Sequence, residues 1–250
     1  MKKNVGLIGK GLWGLKLKSK LSKNSNLKFV CGKKTNYSKL IKRNNIDWIF
    51  VASPNNTHYK IVEKCLKLKV NVFCEKPLTN SYLNSKKLFK IAKENKVKLF
   101  VSDVYSFHNK SINKLKRLNT VYRSKKVNNT DFEFLNRFMY HDISILYKFL
   151  IKNKIKSFNF IQNKKLIEVK LVLQNSFEIL FKYNLCLSKK NHYINNINFF
   201  TKKDILNEMI NKILSNKVNI KINNEKALFI LKFINVIKKK IYNLKNDKKK

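Results

Sequence analysis

Two short clusters in this sequence have the residue types and spacing to do chemistry. The first is Gly9-Lys10-Gly11-Leu12-Trp13-Gly14, a Gly-x-Gly-x-x-Gly pattern. Between a strand and a helix, such a pattern holds a dinucleotide. Gly9 permits the tight turn, Gly11 lets backbone approach a pyrophosphate, and Gly14 lets helix and strand pack closely. The first helical turn, which carries Leu12 and Trp13, offers its unpaired N–H groups to the anion. The second cluster is Glu75-Lys76-Pro77, directly after the apolar run 70–74. A glutamate and a lysine at the end of a buried strand, beside a proline that stiffens the backbone, form a site rather than a surface.

Both clusters need a sheet to hold them, and the surrounding pattern supplies one. Residues 5–8 form a short apolar strand before the glycines, and Leu15, Leu17 and Leu21 allow a helix after them. Strand-like runs recur at 27–31, 48–53, 70–74 and 99–102, with helical patterns after residue 57 and over 81–93. Asn56 or Thr57 can cap the first of these helices. Alternating strand and helix over about a hundred residues predicts an α/β fold, a doubly wound parallel Rossmann sheet. Ser53, Pro54 and Asn55 then lie at a strand's carboxyl end, where ligands bind in such sheets. His58 shapes that loop.

The second strand ends in Cys31-Gly32-Lys33-Lys34-Thr35, without the acid that would hold a ribose 2′-hydroxyl in an NAD site. Lys33 and Lys34 could pair with the 2′-phosphate of NADP, or be two more lysines of a lysine-rich chain. The cofactor is therefore NADP or NAD, with NADP slightly favoured.

Beyond residue 105 the rhythm changes. Residues 142–151 read as a helix, 157–162, 166–173 and 177–187 as strands with a turn at Asn175-Ser176, and 227–241 as a final amphipathic helix. This predicts a second, α+β domain on an open, largely antiparallel sheet, whose uncovered face favours a homo-oligomer. The expected division is 1–118 for dinucleotide binding, 119–244 for substrate and dimerisation, and 245–250 as a basic tail.

The chain of 250 residues carries a formal charge of +42. Its lysines are spread along the whole length, and arginine occurs only at positions 43, 117, 123 and 137. With Lys, Asn, Ile and Phe abundant and Ala, Gly and Pro scarce, compositional drift accounts for the charge, and no specific nucleic-acid partner is expected. The four cysteines show no metal-ligand spacing, so they read as reduced thiols and no metal is expected. The absence of a long uncharged apolar stretch or a signal-like segment predicts a cytoplasmic protein without membrane attachment.

Gly-Lys-Gly-Leu-Trp-Gly at 9–14, Val-Ala-Ser-Pro-Asn-Asn-Thr-His at 51–58 and Val-Phe-Cys-Glu-Lys-Pro-Leu at 72–78, in this order and spacing, resemble the Gfo/Idh/MocA oxidoreductases. These include glucose–fructose oxidoreductase and inositol dehydrogenase. Tyr140-His141-Asp142-Ile143-Ser144-Ile145-Leu146 is similar to that family's helix carrying the active-site histidine. The resemblance implies hydride transfer between a nicotinamide cofactor and a sugar, nucleotide sugar or polyol. His141 would carry the proton, Lys76 would stabilise negative charge on the substrate oxygen, and Glu75 would orient nearby groups. The family usually places an aspartate four residues before that histidine, where this sequence has Arg137. The alternative is a family member that binds a dinucleotide without turning it over. His108 and His192 are assigned no role.

Overall fold

The computed structural model describes residues 1–33, 35–126, 134–200 and 204–247. Lys34 and the terminal lysines 248–250 lie outside the described residues. The chain forms two compact units, Met1–Phe107 with Ile205–Leu231, and His108–Asp204 with Lys232–Lys250.

The first unit begins with β1 (Asn4–Ile8), α1 (Leu12–Asn24), β2 (Asn26–Cys31), α2 (Tyr37–Arg43) and β3 (Trp48–Val51). It continues through α3 (His58–Lys67), β4 (Asn71–Cys74), α4 (Tyr82–Glu94) and β5 (Leu99–Val101). The five strands are all parallel, in the order β2-β1-β3-β4-β5. The chain leaves β1 for β2 and then returns to β1's other side for β3. The carboxyl ends of β1 and β3 therefore flank a topological switch point, where open α/β sheets bind ligands.

Strand alternation explains how both faces are covered. Trp48, Phe50, Phe73 and Phe100 point to one face, with Phe50 and Phe73 stacked at 4.9 Å. Ile49, Val51, Val72, Cys74 and Val101 point to the other, packed on Val62, Cys65, Leu66 and Leu88 of α3 and α4. A sheet buried on both sides gives the near-continuous apolar runs seen in these strands.

The second unit contains β6 (Leu118–Ser124), α5 (Tyr140–Leu150), β7 (Ile155–Asn163), β8 (Leu166–Leu173), β9 (Glu178–Asn184), β10 (Asn191–Ile194) and β11 (Ile197–Asn198). Its six strands run in the order β11-β10-β6-β9-β8-β7, antiparallel except where β6 meets β9. A π-helical segment, Leu135–Met139, leads into α5. One face of the sheet is buried. The other carries half-exposed residues, among them the ion pairs Lys170–Glu178 (2.9 Å) and Lys182–Glu168 (3.0 Å).

Two last helices follow, α6 (Ile205–Leu214) and α7 (Ile220–Asp247). Met209, Ile210 and Ile213 of α6 join the aromatic face of the first unit's sheet. The first turns of α7 also belong to that unit. Asn223 pairs through its amide with both N and O of Val101, and Lys226 pairs with Asp103 at 2.7 Å. A single cut near residue 118 therefore does not describe the chain, because residues 205–231 return to the first unit to cover apolar surface. Sequence pattern placed α7 at 227–241 and missed α2, α6, β6, β10 and β11. β10 and β11, at four and two residues, are too short to stand out by periodicity, whereas α6 carries a clear apolar face in Met209, Ile210 and Ile213 that the sequence reading passed over.

No helix among the described residues is long and apolar enough to cross a membrane.

Candidate active site

The glycine turn is shaped by close approaches. Gly9 has φ +127°, and a Cβ there would lie 2.3 Å from the carbonyl oxygen of Ala52 at the end of β3. A Cβ on Gly14 would lie 2.1 Å from the carbonyl oxygen of Gly9. Neither position admits a side chain, so α1 can sit tightly over the turn. Gly11 differs: a Cβ there would meet nothing within 4 Å. Its backbone borders open space at the start of α1, where no side chain caps the helix and the first turn holds no acid. Leu12 and Trp13 are exposed beside it. The combination of free N–H groups, a positive helix end and unobstructed approach fits a dinucleotide pyrophosphate.

The strand ends beside this turn carry the second group of expected residues. Ser53 and Pro54 follow β3, and Asn55 opens a 3₁₀ turn, Asn55–Thr57, with Pro54 and Asn55 exposed. Thr57 does not cap α3 through its side chain. Its Oγ1 lies 2.7 Å from Ser53 Oγ and 2.7 Å from Pro54 O, so it closes the loop instead. His58 is fully buried, with Nδ1 2.9 Å from the carbonyl oxygen of Pro77 and Nε2 2.8 Å from that of Ser53. It therefore reaches a bound molecule only through these two loops. Burial lowers its pKa against the opposing pull of the carbonyls, which favours the neutral ring.

Glu75 and Lys76 follow β4 at the same edge of the sheet. Glu75 is buried, and its Oε2 accepts the Lys76 backbone N–H at 3.3 Å. Ser102, after β5, also bonds this carboxyl. Glu75 Oε1 is buried and meets no donor among the described residues. Burial raises the Glu75 pKa, while the Lys76 charge and these hydrogen bonds pull it back. Lys76 itself is half-buried, and the turn behind it is fixed by Thr79 Oγ1, which bonds Ser81 O at 2.6 Å.

At the end of β2, Lys33 is exposed and no acid is present. Lys10, which sequence reasoning passed over, runs its side chain alongside Gly32, with Cδ 3.7 Å from where a Cβ would stand. Its charge acts on Cys31, at the end of the same strand. The signal available was its place between the first two glycines, which only the fold brings next to β2.

His141 belongs to the second unit, in the first turn of α5, half-buried and edge-on to Tyr140 at 6.1 Å. Arg137 lies in the preceding π-helical segment and is exposed. The neighbouring Asp142 is fully buried. It accepts Arg123 Nε–H at 2.7 Å and Tyr183 O–H at 2.9 Å, and His192 Nε2 is 2.8 Å from the same carboxylate. Sequence reasoning missed this cluster because its members are spread over 70 residues of chain.

Cys31, Cys65 and Cys74 are buried free thiols, and burial pushes Cys65 up to about 12. They are inert packing groups at neutral pH. Among the described residues no group of His, Cys, Asp and Glu side chains is placed to hold a metal ion.

Comparison with known proteins places this geometry in context. Residues 15–103 match the family model for an oxidoreductase family with an NAD-binding Rossmann fold, Gfo/Idh/MocA. An uncharacterized oxidoreductase of Streptococcus pneumoniae is 28% identical over 120 residues, 42% of this chain and 33% of its own length. The match thus spans a third of that relative. Among solved structures, UDP-N-acetylglucosamine 3-dehydrogenase from Acidithiobacillus ferrooxidans superposes with a TM-score of 0.76 at 13% identity, covering 94% of this chain and 96% of its own. GenD2 from gentamicin A biosynthesis, solved with NAD, gives 0.75 at 13% identity, over 94% and 92%. At such identity these two likenesses show the fold.

Proposed function

We propose that this chain, whose residues 15–103 match the Gfo/Idh/MocA oxidoreductase family model, transfers a hydride between a nicotinamide dinucleotide and a sugar, nucleotide sugar or polyol. The observation that carries this reading is the shared sheet edge. An open glycine turn with an uncapped helix end and a lysine behind a buried glutamate lie on the carboxyl ends of one parallel sheet.

A nicotinamide dinucleotide, when bound, supplies the hydride chemistry; the chain supplies position and electrostatics. Gly9, Gly11 and Gly14 shape the turn, and the α1 N–H groups at Leu12 and Trp13 take the pyrophosphate. Ser53, Pro54 and Asn55 line the neighbouring strand end, with His58 and Glu75 holding the loops from behind. Lys10 and Lys33 favour a 2′-phosphate, hence NADP over NAD. Lys76 would donate a hydrogen bond to the substrate oxygen and stabilise its developing charge. The resemblance gives the proton to His141. The open sheet face in the second unit suits a homo-oligomer, and the buried thiols suit the cytoplasm.

The second reading, cofactor binding without turnover, is favoured by one observation: Arg137 stands where the family usually has an acid. Purified protein mixed with NADPH or NADH, followed by fluorescence and then by absorbance across a sugar and polyol panel, separates the two. Binding with turnover supports the dehydrogenase. Binding with no turnover on any member supports the second reading, and no binding of either nucleotide removes both.

A further inference from the structure

We propose that Asp142 is the positioning residue for His141, fixing the direction of its ring by locking the rotation of α5 on the sheet. The proposal rests on the reading of His141 as proton carrier, but its geometry stands within the second unit alone.

The lock is a row of three side chains across three adjacent strands. In the sheet register, Arg123 of β6 is paired with His192 of β10 on one side and Tyr183 of β9 on the other. Cross-strand partners share a face, so all three point the same way. All three converge on one carboxylate. Arg123 Nε–H and His192 Nε2 lie 2.7 Å and 2.8 Å from Asp142 Oδ1, and the Tyr183 hydroxyl donates to Oδ2 at 2.9 Å. Asp142 is fully buried, and Tyr183, His192 and Arg123 nearly so.

The segment before α5 explains why such a lock is needed. Leu135–Met139 is π-helical, and a wider turn changes the angular phase of every residue after it. Helical hydrogen bonds alone therefore do not determine which way residue 141 points. Apolar contacts from Ile143, Leu146 and Leu150 hold the helix down, but burial is non-directional and tolerates rotation. A buried carboxylate held by two hydrogen bonds, from Arg123 and Tyr183, with His192 Nε2 close beside it has a definite orientation, and turning the helix breaks all three contacts. His141 is the adjacent residue, about 100° further round the helix, so its direction follows from that of Asp142.

Charges in the cluster balance. Arg123 and Asp142 form one ion pair, and burial beside Arg123 holds His192 neutral, with a pKa lowered to about 4.

The chain has four histidines, so the His141 ring can be assigned by NMR from a His141→Gln spectrum. Tyr183→Phe removes one contact without changing any charge. In this variant, checked for folding by circular dichroism, the proposal expects the His141 Cε1–H resonance to move or broaden and its titration midpoint to shift. Asp142→Asn, if folded, should show a larger displacement. Where turnover has been found with a panel sugar, kcat of Tyr183→Phe should fall about tenfold, with KM for NADPH unchanged. A folded Tyr183→Phe protein with a lowered Tm but an unmoved His141 resonance and titration would make the cluster a device of fold stability, and would overturn the proposal. If His141→Gln keeps full turnover, the proton-carrier reading fails, while the resonance measurement still decides the lock.

Discussion

The two ring nitrogens of His58 face two backbone carbonyls, and one of them belongs to Pro77, the residue after Lys76, at 2.9 Å. The other belongs to Ser53 at 2.8 Å, so one buried ring joins the loop after β3 to the turn after β4. A neutral imidazole has one N–H and can donate to only one carbonyl at a time. His58→Leu comes near the volume and removes both contacts. It should lower stability by about 1–3 kcal/mol and weaken NADPH binding, because the loops lose their tie. Thermal unfolding and calorimetric titration measure the two effects. Unchanged affinity would separate the His58 tie from the nucleotide site.

Gly11 and Gly14 should respond in opposite ways. Gly11→Val meets open space, so the fold should persist while nucleotide binding falls by tenfold or more. Gly14→Ala forces a Cβ within 2.1 Å of the Gly9 carbonyl oxygen, so the unit must shift or unfold. We expect a loss of roughly 2–4 kcal/mol for Gly14→Ala, since overpacking against rigid backbone has no cheap relief. Circular dichroism melts and NADPH fluorescence on both variants give the comparison. Equal loss of fold in both would refute the cradle assigned to Gly11.

Lys76→Ala should lower kcat by about 10²–10³ while leaving NADPH affinity within a few-fold. This split is the expected mark of a group that acts on the substrate oxygen. Steady-state kinetics on the panel substrate and direct nucleotide titration read it. Retained turnover would remove Lys76 from the mechanism.

Lys10 and Lys33 should set the choice of nucleotide. Replacing both with glutamate should reduce NADPH affinity much more than NADH affinity, because only NADPH carries a 2′-phosphate. The ratio of the two dissociation constants is the readout, and its salt dependence should fall with it. An unchanged ratio would return both lysines to the solvated surface.

The Asp142 cluster should make stability depend on acid. His192 titrates at about 4 when folded, below its ordinary 6.5. Between these values the unfolded chain binds a proton that the folded ring refuses, so stability falls as pH drops from 6.5 toward 4. The full shift corresponds to roughly 3 kcal/mol. Asp142 adds to this at lower pH: Arg123 and His192 outweigh burial and hold its pKa down, so its contribution is lost as acid protonates it. Urea melts between pH 4 and 7 should show the slope, and His192→Gln should flatten it. A slope unaltered in that variant would assign the acid sensitivity to other groups.

Much of this protein could be read locally. The glycine turn, the alternation of strand and helix and the placement of Lys76 at a strand end follow from short-range rules of turn chemistry and periodicity, which act within a few residues. The two-layered cover of the first sheet was legible from its unbroken apolar strands. The return of residues 205–231 to the first unit was not, because apolar helix faces do not name the sheet they cover. Lys10 became a candidate only when the fold set it beside the end of β2. His58 reads the same in sequence whether it touches a ligand or lies behind one, and its burial between two carbonyls decides the matter. The Asp142 cluster depended most on tertiary structure. Arg123, Tyr183 and His192 align only because β6 pairs with both β9 and β10 in one register. Pairing register is a property of strands far apart in the chain, set by the packing of the whole sheet.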